Sequence, residues 1–490
     1  MVEKVIYDKS SEGRRGVQFP QPDVPLVEFP AAFTRRDLPL PEVNELEVIR
    51  HFTRLSQLNH SIDTGFYPLG SCTMKYNPKI NEETARLAGF AKAHPLQPEE
   101  TVQGSLMLMY HLQDFLAEIG GFTGVTLQPA AGAQGELTGV MIIQKFHYKQ
   151  GQTQRNKILI PDSAHGTNPA TSAMSGLKVV EIPSDERGNV DLEALKAECD
   201  DTLAGFMLTN PNTLGLFEEH VREVIEVVHA AGGLVYGDGA NMNALLGIAR
   251  PGDLGFDILH YNLHKTFTTP HGGGGPGSGP VGVAEHLVDY LPGPVVAVIE
   301  EGNGEDEPPL YGLVTPKHSI GRMKSFHGHF AMHVRAFTYI LMHGEEGLRD
   351  VSKHAVLNAN YLMVKLKDTY RLPYDRSCMH EFVLEGRWPE VPDVHALDIA
   401  KRLMDFGMHP PTNYFPLIVR EALMIEPTET ETKEVLDQFV DAMLQIAKEA
   451  HESPEILKDA PHTTPFKRMD EVKAAKSLVL CCGLPENIGA

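Results

Sequence analysis

The sequence predicts an α/β protein: a mostly parallel sheet in a large domain, then a smaller C-terminal α+β domain. Three observations carry this reading. Between Gly120 and Ala284 short apolar runs alternate with segments of helical periodicity, the order that parallel strands joined by right-handed crossovers demand. Several of those runs are apolar on both faces, as strands are when helices cover both sides of a sheet. Beyond a helical stretch around residues 326–343, two further strand-like runs, EFVL and ALMIE, interleave with two helical segments.

The elements follow in order. Pro20, Pro22, Pro25, Pro30, Pro39 and Pro41 break any long helix near the start, so residues 1–100 read as an irregular arm of the kind that wraps a neighbouring subunit or its own domain. Leu46, Ile49, Phe52 and Leu55 nonetheless recur at helical spacing. Residues 101–119 predict an amphipathic helix with Val102, Leu106, Met109 and Leu116 on one face and Gly120–Gly121 as its stop. KILI (157–160), KVVEI (178–182), LAGFML (203–208), LVYGD (234–238), FDILHYN (256–262) and VGVA (281–284) read as strands. Between them, the stretch after His165, DLEALKAEC and HVREVIEVVHAAGG read as helices. In the smaller domain VHALDIAKRLMDFG and residues 430–449 read as helices, the second opened by a Thr428–Glu431 capping box. The expected divisions are 1–100 for the arm, 101–340 for the large domain, 341–450 for the small one and 451–490 for an extended tail.

Composition excludes several functions. The chain has 490 residues, 43 of them basic and 65 acidic, for a net charge of −22. That balance argues against a nucleic acid or an anionic membrane held by bulk charge. No run approaches the ~20 apolar residues of a membrane-spanning helix, and MVEKVIYDKSSEGRRG lacks the apolar stretch of a signal peptide. Cys72, Cys199, Cys378, Cys481 and Cys482 show neither zinc-ligand spacing nor a secreted disulfide pattern. The expected setting is the reducing cytoplasm, with no metal.

Four features bear chemistry, and each falls where a strand ends. Ligands of open α/β sheets bind at the carboxyl ends of the strands. QPAAGAQGEL (128–137) places small residues, among them Ala133, beside Gln134 at a helix start. Such a start offers N–H donors and a favourable dipole to an anion; a tight packing turn explains it equally. PDSAHGTNPA (161–170) puts His165 at the top of the sheet, as a ring that stacks on a flat ligand or as a structural histidine. YGDGANMNA (236–244) ends an apolar strand on Asp238. A carboxylate there requires a partner, either a protonated ring nitrogen or the N–H groups of the next helix. Ala240 is small enough to admit a ring. NLHKTFTTPHGGGGPGSGP (262–280) places Lys265 after a strand, with His264 before it and many glycines behind. A lysine so placed can attack an aldehyde, and so many glycines suggest backbone lying close to a ligand. An anion cradle, a stacking ring, a carboxylate and an imine-forming amine together suit pyridoxal 5′-phosphate.

LGSCTMKYNP (69–78), AGAQGE (131–136), SAHGTNPA (163–170), LTNPNTLG (208–215), YGDGANMNA, NLHKTF and MIEPTE (424–429) span most of the chain. Through them it resembles the C-terminal half of the glycine decarboxylase family, the P-protein of the glycine cleavage system, in its split two-subunit bacterial form. The resemblance implies the aspartate-aminotransferase-like fold, fold type I of the pyridoxal-phosphate enzymes. It implies a Schiff base between the cofactor and Lys265, Asp238 on the pyridine nitrogen, and His165 and Ala240 on the two ring faces. It also implies phosphate contacts from His264, Ala133 and Gln134, and Thr209 and Asn210 near the ring hydroxyl. Ser71, Cys72 and Lys75 are candidates near the substrate channel.

The activity so implied is loss of CO2 from glycine and transfer of the aminomethyl group to the lipoyl arm of H-protein. The family is often a single chain roughly twice as long, so the resemblance also implies a separate N-terminal-half subunit and an α2β2 heterotetramer. Residues 272–279 read either as a flexible rim of the carrier's channel or as a simple structural loop. A stand-alone pyridoxal-phosphate amino-acid decarboxylase is the alternative, and a non-catalytic regulatory subunit is disfavoured by the presence of both Lys265 and Asp238.

Overall fold

Apolar residues at both periodicities place the elements of this computed structural model, which describes residues 3–35, 40–271, 277–302 and 308–478. Its contacts group into two units, residues 1–65 with 459–490, and residues 66–458. The first holds helix α1 (Glu45–Gln57), capped by the Asn44 side chain on the Glu47 N–H. Leu46, Ile49, Phe52 and Leu55 do lie on this helix, and all four are exposed, as are Val17, Phe19, Leu26, Val27, Phe29 and Phe33 of the arm.

In the second unit, helix α2 (Gln103–Gly120) buries Leu106, Met109, Leu112 and Leu116. Burial of side chains of this kind stabilises by roughly 1.5–3 kcal/mol each. Gly121 ends the helix at φ 76°, a left-handed conformation that a Cβ would strain.

The main sheet has seven strands: β1 (Gly124–Thr126), β2 (Lys157–Pro161), β3 (Lys178–Ile182), β4 (Leu203–Thr209), β5 (Leu234–Gly239), β6 (Ile258–Tyr261) and β7 (Val281–Val283). Their order is β1-β7-β6-β5-β4-β2-β3. The β6–β5, β5–β4, β4–β2 and β2–β3 pairs are parallel, and β7 runs antiparallel to both neighbours. β2, β4, β5 and β6 are buried along their whole length, which is why they read as continuous apolar runs. Helices α3 (Gly132–Lys149), α4 (Thr167–Met174), α5 (Leu192–Glu198) and α6 (Val221–Ala230) follow β1, β2, β3 and β4. A two-stranded ribbon, β8 (Val295–Glu300) with β9 (Leu310–Val314), follows.

Helix α7 (Phe330–Leu366) breaks at Gly344, whose φ of 59° and ψ of −171° are not helical. A second sheet orders β10 (Phe382–Glu385), β12 (Ala422–Ile425) and β11 (Thr412–Asn413), all antiparallel, with helices α8 (Ala396–Asp405) and α9 (Lys433–Glu452). The expected Thr428–Glu431 capping box does not form. Thr432 caps α9 through its side chain on the Val435 N–H, while Thr428 sits at φ 63° with its hydroxyl on Thr430. A threonine at either position can cap, and the turn after β12 selects Thr432, which has Val435 and not a glutamate three residues on. The segment from residue 451 is not wholly extended either. A short helix, α10 (Glu471–Lys476), starts where the Asp470 side chain accepts the Lys473 N–H. Cys481 and Cys482 lie outside the described residues, as do residues 272–276 of the expected rim.

Candidate active site

The carboxyl ends of β1, β2, β4, β5 and β6 open on one side of the sheet, and the expected residues gather there. Asp238 is the penultimate residue of β5, 3% exposed, with Oδ1 accepting the Ala240 N–H at 2.9 Å. His260 of β6 stands beside it, Nε2 at 3.4 Å from the same oxygen. The imidazole is fixed by Tyr236 (2.6 Å at Nδ1) and Asn262 (2.8 Å at Nε2). Burial disfavours the Asp238 carboxylate, but His260, Lys265 and the Ala240 N–H together hold it below the usual carboxylate range, with His165 adding to them. The structure therefore brings Asp238, His165, Lys265 and Ala240 together, as the sequence led one to expect. His165 lies in the loop between β2 and α4, where Nδ1 accepts the Thr167 N–H at 3.4 Å and its ring meets the edge of Phe415.

The start of α3 is where the sequence places the anion cradle. Ala131 gives no side-chain cap, so the first N–H groups of the helix, at Gly132, Ala133 and Gln134, have no side chain of this turn upon them. The Gln134 side chain is itself engaged with backbone: Oε1 accepts the Ala130 N–H at 2.7 Å and Nε2 donates to Met323 O at 2.9 Å. Strand β7's approach crosses close behind. A Cβ on Gly279 would stand 2.1 Å from Ala131 O, and one on Gly277 3.0 Å from Ala130 O. His264 accepts the Ser278 N–H at Nδ1 (3.3 Å), which leaves Nε2–H as its donor. Burial and the nearby Lys265 push that imidazole down to about 3, so it is neutral.

Several buried polar atoms here have no partner among the described residues: Thr209 Oγ1, Asn210 Nδ2, Ser278 Oγ and Glu136 Oε2. Buried polar groups are ordinarily hydrogen-bonded, and these converge on the same end of the sheet. With the glycine-lined helix start, the Asp238 carboxylate and the Lys265 amine, they fit a phosphorylated pyridine aldehyde.

Of the LGSCTMKYNP candidates, Cys72 lies within electrostatic reach of Lys265, but burial pushes its thiol up to about 11, so it is not a thiolate. Lys75 is 2% exposed and bonded to Asn243, Tyr339 and Glu429, a buried ion pair that ties elements together. The Ser71 N–H donates to Glu381 Oε2 at 2.7 Å.

Sequence reasoning missed five residues of this region: Glu136, His260, His380, Glu381 and Glu426. Glu136 lies within AGAQGE and is 5% exposed, and burial with Asp238 pushes its carboxyl up to about 9. Glu381 and Glu426 flank β10 and β12, and both are fully buried. The signal available was a polar residue inside or at the end of an apolar strand run for His260, Glu381 and Glu426, and there was none for Glu136.

Two family models match the chain: "Aminotransferase class-V" over residues 139–274 and "Glycine dehydrogenase, C-terminal domain" over residues 351–463. Among solved structures, glycine decarboxylase (P-protein) of the glycine cleavage system, in inhibitor-bound form, superposes with a TM-score of 0.71 at 22% identity, covering 85% of this chain and 92% of that one. A cysteine desulfurase from Thermococcus onnurineus gives 0.61 at 17% identity, covering 80% and 98%. These likenesses show the fold, fold type I of the pyridoxal-phosphate enzymes. The probable glycine dehydrogenase (decarboxylating) subunit 2 of Alkaliphilus oremlandii is 57% identical over 97% of this chain and 98% of its own. That of Halalkalibacterium halodurans is 58% identical over 97% of each. Identity of that extent, over nearly the whole of both chains, means that the chain belongs to the glycine dehydrogenase (decarboxylating) subunit 2 family.

Proposed function

We propose that this chain is the pyridoxal-phosphate-bearing subunit of a glycine decarboxylase, releasing CO2 from glycine and passing the aminomethyl group to a lipoyl carrier, the H-protein. The observation that carries the reading is the convergence of Lys265, Asp238 and His165 at the strand ends of a chain 57% identical to named subunit 2 proteins. When bound, the cofactor supplies a protonated heterocycle that accepts the electron pair left by the departing carboxylate.

The chain's residues divide the remaining work. Lys265 offers the amine that retains the aldehyde. Asp238 keeps a proton on the pyridine nitrogen, and His260 with the Ala240 N–H keeps Asp238 ionised so that it can. His165 and Ala240 would bound the two ring faces. Ala133, Gln134 and neutral His264 would give N–H donors to the phosphate, and Thr209 and Asn210 would serve the ring hydroxyl. Among the described residues no arginine donates a hydrogen bond to a group of this cluster. Such a clamp would stabilise the substrate's carboxylate in its ground state and oppose its loss.

The name shared by the relatives makes this a second subunit. We infer a subunit 1 of the N-terminal-half type as partner, in an α2β2 heterotetramer. The exposed apolar residues of the arm, Phe19, Leu26, Phe29 and Phe33 among them, support a partner surface there. We likewise infer a large domain over 101–340, a small one over 341–450, and a cytoplasmic setting. No helix among the described residues is long and apolar enough to cross a membrane.

The test is isotope exchange between glycine and bicarbonate by the chain co-purified with subunit 1. Exchange that requires lipoylated carrier supports the reading. Equal CO2 release by the single chain without carrier would make it a stand-alone decarboxylase.

A further inference from the structure

Glu381 immediately precedes β10 and Glu426 immediately follows β12. The register pairs Phe382 with Ile425, so the two glutamates stand at the next step of the same antiparallel ladder, where like charges repel. Both side chains are fully buried, and so is that of His380. His380 Nε2 lies 3.8 Å from Glu381 Oε1 and 3.8 Å from Glu426 Oε1. One ligand atom from each of the three residues falls within 4.8 Å of the other two. Separations of 3.8 Å are too long for hydrogen bonds. Among the described residues neither ring nitrogen of His380 has a hydrogen-bond partner, although buried polar groups ordinarily have one.

Both carboxyl groups are held from outside the cluster. Glu381 Oε2 accepts the Ser71 N–H at 2.7 Å, and its Oε1 accepts Asn241 Nδ2 at 3.4 Å. Glu426 accepts Thr73 twice, the N–H on Oε2 at 2.8 Å and the hydroxyl on Oε1 at 2.6 Å. To make these bonds Ser71 and Thr73 adopt φ of 62° and 49°, a conformation costly for residues with a Cβ. Each carboxylate oxygen has two lone pairs, so each Oε1 keeps one to share with whatever Nε2 faces. A proton shared between the carboxyl groups would quench their repulsion but leave both ring nitrogens unpaired. A divalent cation engages Nε2 and both carboxylates at once.

We propose that His380, Glu381 and Glu426 form a binding site for a divalent first-row transition-metal ion, zinc foremost. One imidazole with two carboxylates is a donor set for such an ion, whereas magnesium and calcium take mainly oxygen ligands and more of them. Two carboxylates and one doubly charged ion sum to zero, which a site removed from water favours. Zinc at ~2.1 Å from each ligand sets tetrahedral ligands about 3.4 Å apart. The 3.8 Å separations therefore close with side-chain shifts of roughly a few tenths of an ångström. The set contains no cysteine, so cysteine spacing carries no sign of it. Ser71, Thr73 and Asn241 act as the hydrogen-bonding groups that orient ligating carboxylates. Through Ser71 and Thr73 the ion fastens the loop of residues 69–78 to the small sheet. Nothing in this depends on the chemistry at Lys265.

The test uses the full-length chain without an affinity tag, produced in zinc-supplemented medium, with folding verified by circular dichroism. Elemental mass spectrometry should find about one zinc per chain. Competition with a chromophoric chelator should show the affinity falling at least about 100-fold in His380→Gln and in Glu426→Gln, and about tenfold in Thr73→Val, which keeps all three ligands. Thermal unfolding of the wild type should shift upward with added zinc, and that of His380→Gln should not. X-ray absorption on the wild type alone keeps the site testable if the variants do not fold. It should show nitrogen and oxygen ligands at ~2.0–2.2 Å with imidazole scattering, and no sulfur at ~2.3 Å. Folded wild type that holds only substoichiometric zinc overturns the proposal. So does zinc retained with wild-type affinity by His380→Gln, a sulfur ligand, or a site that prefers magnesium or calcium to zinc. Borohydride trapping of pyridoxal phosphate on Lys265 is read separately, and its failure strikes the functional reading alone.

Discussion

Lys75 and Glu429, 354 residues apart in the chain, form a buried ion pair with Nζ and Oε1 2.7 Å apart. Asn243 joins both, accepting from Lys75 at 2.7 Å and donating to Glu429 at 3.1 Å, and Tyr339 of α7 adds its hydroxyl at 3.2 Å. The pair locks the loop of residues 69–78, the turn after β5, helix α7 and the turn after β12 into one arrangement. Lys75→Met should therefore destabilise the chain by about 3–5 kcal/mol, because a buried carboxylate loses its partner. Denaturant unfolding measures this, and adding Glu429→Gln should recover part of the loss. A single variant as stable as wild type would mean the pair is dispensable.

Lys265→Ala should abolish both the borohydride-trapped cofactor peptide and glycine–bicarbonate exchange. A labelled peptide elsewhere in the variant would remove the basis of the site.

Asp238→Ala should leave little exchange, with cofactor still retained through Lys265. His260→Gln should fall between the two proteins, since it loses the imidazole at 3.4 Å from Asp238 Oδ1 but keeps the Ala240 N–H at 2.9 Å. Exchange near the wild-type rate in Asp238→Ala would exclude that carboxylate from the electron sink.

Glu431 carries a pH dependence. Burial raises its carboxyl from 4.5 to about 7. Between those values the folded state keeps a proton that the unfolded state has lost, so folding stability falls as pH rises through that window and levels off above it. Glu431→Gln lacks this penalty. Urea unfolding at pH 5 and pH 8 should show the variant gaining on wild type at the higher pH. A difference that is flat with pH would place the carboxyl in water.

Gly279→Ala tests the cradle. Its Cβ would meet Ala131 O at 2.1 Å, backbone that cannot move without shifting the start of α3. The variant should fold yet bind pyridoxal phosphate at least tenfold more weakly by equilibrium dialysis, the loss of about 1.4 kcal/mol of phosphate contact. Unaltered affinity would place the phosphate elsewhere.

The local pattern of residues was enough for the parallel strands, because buried strands such as LAGFML and LVYGD are apolar throughout, and for the four strand ends that carry Ala133, His165, Asp238 and Lys265. Those positions are local: each is a polar residue or a glycine-rich turn immediately after an apolar run. What only the tertiary structure decided is long-range. That Lys75 is tied to Glu429 and Asn243, that Thr432 and not Thr428 caps α9, and that Glu381 and Glu426 lie together beside β10 and β12 all depend on which segments fold against one another. Burial raises a glutamate's hold on its proton, as at Glu431, by removing water from it, and no pattern of neighbours along the chain records that removal.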